Sequence, residues 1–335
     1  MSLKLSFILP CYNVERYVAE CLDSIYAQDL PENEFEVICV NDCSTDGTRS
    51  IIAKFEEIHD NLQLIDHKQN LTAGGARNTG ISVARGEYIW FVDPDDMIVP
   101  KSAGTVYENA KRNDVDVLLF NYEAVDEKNH VLKKDNSFSD CEVCGGQEFV
   151  VKYFPNHFSH LCIVWRCLFK TGFLKQHELL FPIMRKAQDV VFLWKTMLVA
   201  NRVQSIGRRC YLYRDNPYSV AKKTLDAHVV FSERMLFANE IVVLFEQNGI
   251  IINERIRQNM MKTLVWCANS NLELLLEMNP DQRSRYYNEI ISNEEVVENV
   301  KPYMNRKSRV LFLTIGGRRV WVWKVFLLNL LFGKR

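Results

Sequence analysis

The chain has 335 residues, 47% of them hydrophobic and 25% charged, with a formal net charge of −1. This admits one large globular domain or two ordinary ones with a sizeable core, and it excludes a dedicated nucleic-acid binder, which needs a basic excess. The charge is uneven: residues 301–335 carry nine Lys or Arg and no acid, leaving 32 basic against 42 acidic residues before them, a basic tail on an acidic body.

In chain order, LKLSFIL (3–9) reads as a strand stopped by Pro10. Val14, Tyr17, Val18, Cys21, Leu22 and Ile25 then recur at helical spacing. FEVICVN (35–41) is a second strand, followed by the turn DCSTDGT with helix-capping residues and a helix to about His59. LQLID (62–66) is a third strand, AGGARNTGISVA a helix, EYIWFV (87–92) a fourth strand, and VDVLLFN (115–121) a further strand after another helix. Residues 122–160 are polar and less regular, and about 225–300 read as helices, VVFSERMLFANEIVVLFEQNG being the clearest amphipathic one. Strands alternating with helices predict an α/β protein with a doubly wound, mostly parallel sheet, whose ligands bind beyond the carboxyl ends of the strands.

The polar motifs fall at those ends: Pro10-Cys11-Tyr12-Asn13 after the first strand, Asn41-Asp42 after the second, and FVDPDD (91–96) after the fourth. Asp93, Asp95 and Asp96 crowd three carboxylates into four positions around Pro94. In isolation such a stretch is a solvated acidic turn; beside the other strand-end motifs it suits a hard divalent cation, Mn²⁺ or Mg²⁺, which prefers oxygen ligands.

Ten cysteines are present, several within apolar runs, and MSLKLSFILPCYN has no long apolar segment followed by a cleavage site. Reduced, buried thiols are therefore expected. Cys141 and Cys144 form a lone C-x-x-C; ordinary thiols and a zinc site completed by His157, His160 or Cys162 both stay open.

SFILPCYNVERYVAECLDSI, EVICVNDCSTDGT, NLTAGGARNTGI, ARGEYIWFVDPDD and AQDVVF run from Ser6 to Phe192. In order and spacing they resemble the family 2 glycosyltransferases of GT-A fold, of the bacterial, non-processive type. The resemblance implies a nucleotide-sugar-binding catalytic domain over 1–220, a helical region over 221–300, and a donor that is a nucleotide-diphosphate sugar, typically a UDP-sugar. By resemblance, Pro10, Tyr12 and Asn13 form the first nucleotide-binding turn, with Tyr12 near the base. Asp42 hydrogen-bonds the base, although a helix-capping role stays open for it. Arg77 faces the donor phosphates or a sheet-end carboxylate, and a structural ion pair is the alternative. Asp93 contacts the ribose or the metal, Asp95 ligates the metal, and Asp96 supports them. Asp189 is the base that deprotonates the acceptor hydroxyl; capping its helix or pairing with the helix dipole is the alternative. The family usually has Glu-Asp where this chain has Gln188-Asp189, which keeps the base and leaves the acceptor contacts open. Thr72 stands where the family has glycine, with Gly74 and Gly75 expected to restore flexibility. Tyr213, Arg214 and Ser219 match a Tyr-Arg loop near the diphosphate, and Trp165 lines the acceptor site or the core. A single base implies inversion at the anomeric carbon. Q-x-x-R-W and long membrane helices, which mark processive members, are missing; QRSRY (282–286) is read as chance.

In the tail, the apolar run from Val320 to Phe332 is interrupted by Lys324 and Asn329, and a span of hydrocarbon needs about twenty residues. Trp321, Trp323 and the flanking Arg318, Arg319, Lys334 and Arg335 suit a membrane interface. Residues 301–335 are thus expected to hold a cytoplasmic enzyme on the inner face of the membrane, near a glycan or lipid-linked acceptor, or to dock on protein. Two rival readings are a non-catalytic nucleotide-sugar-binding scaffold, and a dinucleotide oxidoreductase, which would need G-x-G-x-x-G where the chain has PCYNVE.

Overall fold

A computed structural model describes residues 3–154, 163–217, 226–246, 251–277 and 281. The chain divides into two compact units, Met1–Lys223 and Thr224–Arg335. In the first, β1 (Leu5–Cys11), β2 (Phe35–Asn41), β3 (Leu62–Asp66) and β4 (Tyr88–Phe91) alternate with α1 (Val18–Tyr26), α2 (Thr48–Glu56) and α3 (Thr72–Val83). There follow β5 (Met97–Ile98), α4 (Ala103–Arg112), β6 (Val117–Val125), β7 (Val131–Lys134), α5 (Gly146–Tyr153), β8 (Cys167–Lys170), α6 (Thr171–Gln176), α7 (Gln188–Val199) and β9 (Val203–Arg214). Among the described residues these strands form one sheet in the order β3-β2-β1-β4-β8-β6-β9-β5, with β7 beside β6.

The run β3-β2-β1-β4 is parallel throughout. Every residue of β1 and β2 is buried, as expected of strands covered by helices on both faces. On one face Phe7 and Trp90 pack with Val18, Cys21, Leu22 and Ile25 of α1 and with Val106 of α4. On the other, Phe91 meets Phe192 of α7 edge-on at 6.0 Å, and α3 lies so close to β1 that a Cβ on Gly80 would fall 2.3 Å from the Ile8 side chain. Beyond β4 the sheet turns antiparallel through β8, and β9 returns parallel to β6.

Pro10 does not stop the first strand. Ile8 accepts from Val92 on the β4 side, and Cys11 accepts from Asp42 on the β2 side. Pro10, two residues beyond Ile8, faces the β4 side where that strand has ended, so its missing N–H breaks no ladder bond. The carboxyl ends of β1, β2 and β4 therefore stand side by side.

In the second unit, α8 (Ala227–Glu246) and α9 (Glu254–Glu277) bury Phe231, Ile241, Met260 and Leu264, and Arg234 lies over the Trp266 ring at 5.3 Å. No helix among the described residues is long and apolar enough to cross a membrane. Ser219, His157, His160, Cys162, QRSRY and the tail 301–335 lie outside the described residues.

Candidate active site

The site is assembled from three strand-end loops and the start of α7. After β1, Tyr12 leaves 40% of its surface exposed, and Asn13 adopts a positive φ of 52°, a conformation Asn tolerates better than most residues. Asn13 is fixed from both sides: its N–H donates to Ser44 Oγ at 3.1 Å, and its Oδ1 accepts from the Thr45 N–H at 2.8 Å. The turns after β1 and β2 are thus one interlocked surface.

Asp42 sits in that surface, 2% exposed. Its Oδ1 is 2.7 Å from His67 Nδ1 and accepts the Leu71 N–H at 2.8 Å, while its carbonyl accepts from the Asn70 side chain at 3.0 Å. It does not cap α2: Asp46 Oδ1 accepts the Thr48 N–H at that helix start, at 3.0 Å. The capping alternative for Asp42 therefore goes to Asp46, leaving Asp42 as an organiser of the strand-end surface.

The stretch Asp93–Asp96 is a tight turn, with the Asp96 N–H donating to the Asp93 carbonyl at 3.0 Å. Its three carboxylates diverge in role. Asp93 accepts from Arg77 Nη2 at 2.7 Å. Asp95 accepts from the Asn216 side chain at 2.9 Å. Asp96, 1% exposed, accepts from the Tyr211 hydroxyl at 3.0 Å and the Arg214 N–H at 2.7 Å. Burial first, then the charges of Asp95 and Asp93, push the Asp96 carboxyl well above the ordinary range; burial and the charge of Asp93 also raise Asp95. Such a cluster favours added positive charge.

Arg77 is the hub. Buried on α3, it donates Nη2 to Asp93 and Nη1 to Asp189, each at 2.7 Å, and stacks over Phe181 at 5.2 Å. Burial lowers its pKa, but the charges of Asp189 and Asp93 outweigh this and leave it raised. Arg77 thus meets the sheet-end carboxylate Asp93 and also pairs with Asp189. Asp189 lies in the first turn of α7, where an acid is favoured by the helix dipole; the residue before the helix, Ala187, has a φ of 61°. Burial raises Asp189 to about 6, opposed by Arg77 and assisted by the charge of Asp93. Its side chain is still 23% exposed, so a proton can reach it from outside.

Gln188 turns away from this group: its Oε1 accepts the Gly74 N–H at 2.9 Å, tying α7 to α3. Gly74 and Gly75 allow close approach. A Cβ at Gly74 would sit 2.7 Å from the Pro182 carbonyl, and one at Gly75 2.5 Å from Leu71 Cβ. Thr72 itself holds a φ of 66°, the conformation for which glycine is favoured.

The oxygens of Asp93 and Asp95 are the donor set for the expected metal. Among the described residues no three His, Cys, Asp or Glu side chains gather into a ready-made cage. One oxygen of Asp93 is occupied by Arg77 and one of Asp95 by Asn216. This fits a hard cation shared with phosphate oxygens, the usual arrangement for Mg²⁺-type sites, and does not fit one held by protein alone.

Four site partners escaped the sequence reading. His67 against Asp42, Asn216 against Asp95, Tyr211 against Asp96 and Glu20 against Arg214, at 2.6 Å, bridge separations no local pattern encodes. Trp165 stacks between Tyr211 and Tyr213, at 4.3 and 5.6 Å, and is 4% exposed; it belongs to the core and steadies β9. The Cys141 thiol accepts from the Ser205 N–H and hydroxyl, both at 3.2 Å, and the described cysteines are free.

The model for "Glycosyl transferase family 2" matches residues 6–175. A poly(ribitol-phosphate) beta-glucosyltransferase of Bacillus spizizenii is 31% identical over 63% of this chain and 32% of its own length. The uncharacterized glycosyltransferase EpsJ of Bacillus subtilis is 31% identical over 67% of this chain and 66% of its own. The match to the first of these spans about a third of that protein's length. The crystal structure of S. aureus TarS in complex with UDP-GlcNAc superposes with a TM-score of 0.68 at 24% identity, covering 98% of this chain and 91% of that one, a likeness of fold.

Proposed function

This chain belongs to glycosyl transferase family 2, and we propose that it moves a sugar, with inversion, from a UDP-sugar to a hydroxyl of a glycan or lipid-linked acceptor in surface-polysaccharide synthesis. The observation that carries this is the shared guanidinium of Arg77, which binds Asp93 at the strand-end site and Asp189 at the start of α7, each at 2.7 Å. A proton acceptor and a donor-side carboxylate are thereby held one guanidinium apart, which supports a single displacement.

In this reading Pro10, Tyr12, Asn13 and Asp42 form the nucleotide end, and Asp93 and Asp95 face the ribose and diphosphate. Asp189 takes the proton of the acceptor hydroxyl as it attacks the anomeric carbon; Arg77 keeps Asp189 ionised near neutral pH and fixes its direction. Asp95, with Asp93, would hold Mn²⁺ or Mg²⁺ together with diphosphate oxygens, and that cation would offset the charge growing on the leaving group. Residues 1–220 would form the catalytic domain and 221–300 a helical region. The tail 301–335 would hold the enzyme on the inner face of the membrane. The relative named a poly(ribitol-phosphate) beta-glucosyltransferase and the UDP-GlcNAc bound by a structural neighbour support the donor and polymer class.

UDP release from UDP-GlcNAc and UDP-glucose, with Mn²⁺ and polyol-phosphate or lipid-linked acceptors, tests the reading. D189N and D95N should each lower turnover by about 10²-fold or more while still folding. Wild-type turnover by either removes that residue from the mechanism, and donor binding without transfer to any acceptor would favour a non-catalytic binding protein.

A further inference from the structure

His67, just past β3, uses every polar atom it has. Its N–H donates to the Asn41 carbonyl at 3.0 Å, and its carbonyl accepts from the Cys43 thiol at 3.1 Å. Its ring Nδ1 lies 2.7 Å from Asp42 Oδ1 and its Nε2 lies 2.9 Å from Thr79 Oγ1 on α3. The ring is 9% exposed, which holds it out of reach of a bound nucleotide as a direct partner. It acts on Asp42 instead. A carboxylate oxygen has two in-plane lone pairs, and on Asp42 Oδ1 both are taken, by His67 and by the Leu71 N–H at 2.8 Å. Among the described residues no donor reaches Oδ2. Asp42, whose side chain is 3% exposed, thus keeps a single acceptor oxygen without a protein donor among the described residues.

Which base this suits follows from donor patterns. Uracil presents one N–H, N3–H, between two carbonyls, and needs one acceptor. Guanine presents N1–H beside its 2-amino group, a pair of donors that engages both oxygens of a free carboxylate. Cytosine has a lone pair at N3, which a carboxylate repels. Resting on the reading that Asp42 meets the base of a sugar nucleotide, we propose that His67, backed by Thr79, is a positioning residue. It occupies Asp42 Oδ1, leaving one acceptor oxygen, and so sets selectivity for uracil over guanine.

Calorimetric binding of UDP, CDP and GDP with Mg²⁺ to the full chain tests this, with thermal melting as the folding control. Wild type should prefer UDP. H67F keeps the bulk and loses the donor. It should weaken UDP about tenfold, the scale of a lost charged hydrogen bond, and shrink the UDP-to-GDP ratio by a similar factor. H67N, whose amide can replace Nδ1–H, should recover most of both, which a merely structural defect would not. T79V should move the ratio in the same direction as H67F. An H67F protein with wild-type affinity and ratio overturns the role of His67; if H67F does not fold, an unchanged ratio in T79V does so. A wild type that prefers GDP overturns the inference and leaves a sugar-nucleotide transferase standing. A wild type that binds no nucleoside diphosphate brings down the reading beneath it as well.

Discussion

Removing the guanidinium of Arg77 should move the pH dependence of turnover in a defined direction. As the proposed base, Asp189 must be ionised to accept a proton. Its carboxyl is raised to about 6, so about nine-tenths is ionised at pH 7 and about a tenth at pH 5. The acid limb of kcat/KM, which reports the free enzyme, should therefore fall through about pH 6. In R77M, Asp189 loses its 2.7 Å charged donor and faces Asp93, which has lost the same donor. A hydrogen bond to a charged group contributes about 1.5–3 kcal/mol, and each 1.36 kcal/mol is one pH unit. The limb should move upward by about one to two units, to roughly pH 7–8. R77K keeps one charge without the two-pronged fork and should fall between. UDP release measured from pH 5 to 9 at subsaturating donor gives the limb directly. If R77M loses activity with its acid limb still near 6, Arg77 does not tune Asp189 and the coupling argued here is wrong.

G74A should lower activity, although alanine is the better helix former, because its methyl would meet the Pro182 carbonyl at 2.7 Å and Gln188 Oε1 at 2.8 Å and push the start of α7 away; kcat should fall with donor affinity kept, which donor titration checks. T72G should stabilise the protein by about 1 kcal/mol by relieving a left-handed β-branched residue, read as a raised Tm; a lowered Tm refutes the strain. Deleting residues 305–335 should release the protein from membranes into the supernatant on fractionation, and unchanged partition would defeat the membrane role proposed for the tail.

The parallel half of the sheet was legible because β1, β2 and β4 are buried on both faces and read as unbroken apolar runs. Their ends were legible because Pro, Asn and Asp cluster where ladders stop. The antiparallel half was not: β8 is four residues long and β5 two, too short to show a period, and their neighbours are chosen by packing across the sheet. At the site, Asp189 and the strand-end aspartates carried a local signature, but the hydrogen bonds that assign their roles come from far away in the chain. For Arg77 the local sequence leaves phosphate, sheet-end carboxylate and structural ion pair open, and its bond to Asp189 depends on where α7 lies. His67 gave no local signal, since a lone histidine after a strand is an ordinary residue until a carboxylate is found opposite.

The turn that carries Asp93, Asp95 and Asp96 is handcuffed to β9 and the residue pair beyond it. The Tyr211 hydroxyl accepts the Asp93 N–H and donates to Asp96, the Arg214 N–H donates to Asp96, and Asn216 donates to Asp95. All three partners lie past residue 175, where the family match ends. Trimming the protein to the matched portion would strand a buried carboxylate without its donors and leave the acidic turn without its ties to β9. The smallest piece worth expressing, or transplanting into a chimera, must run at least through Asn216, and the boundary drawn by sequence likeness is no guide to where the working unit ends.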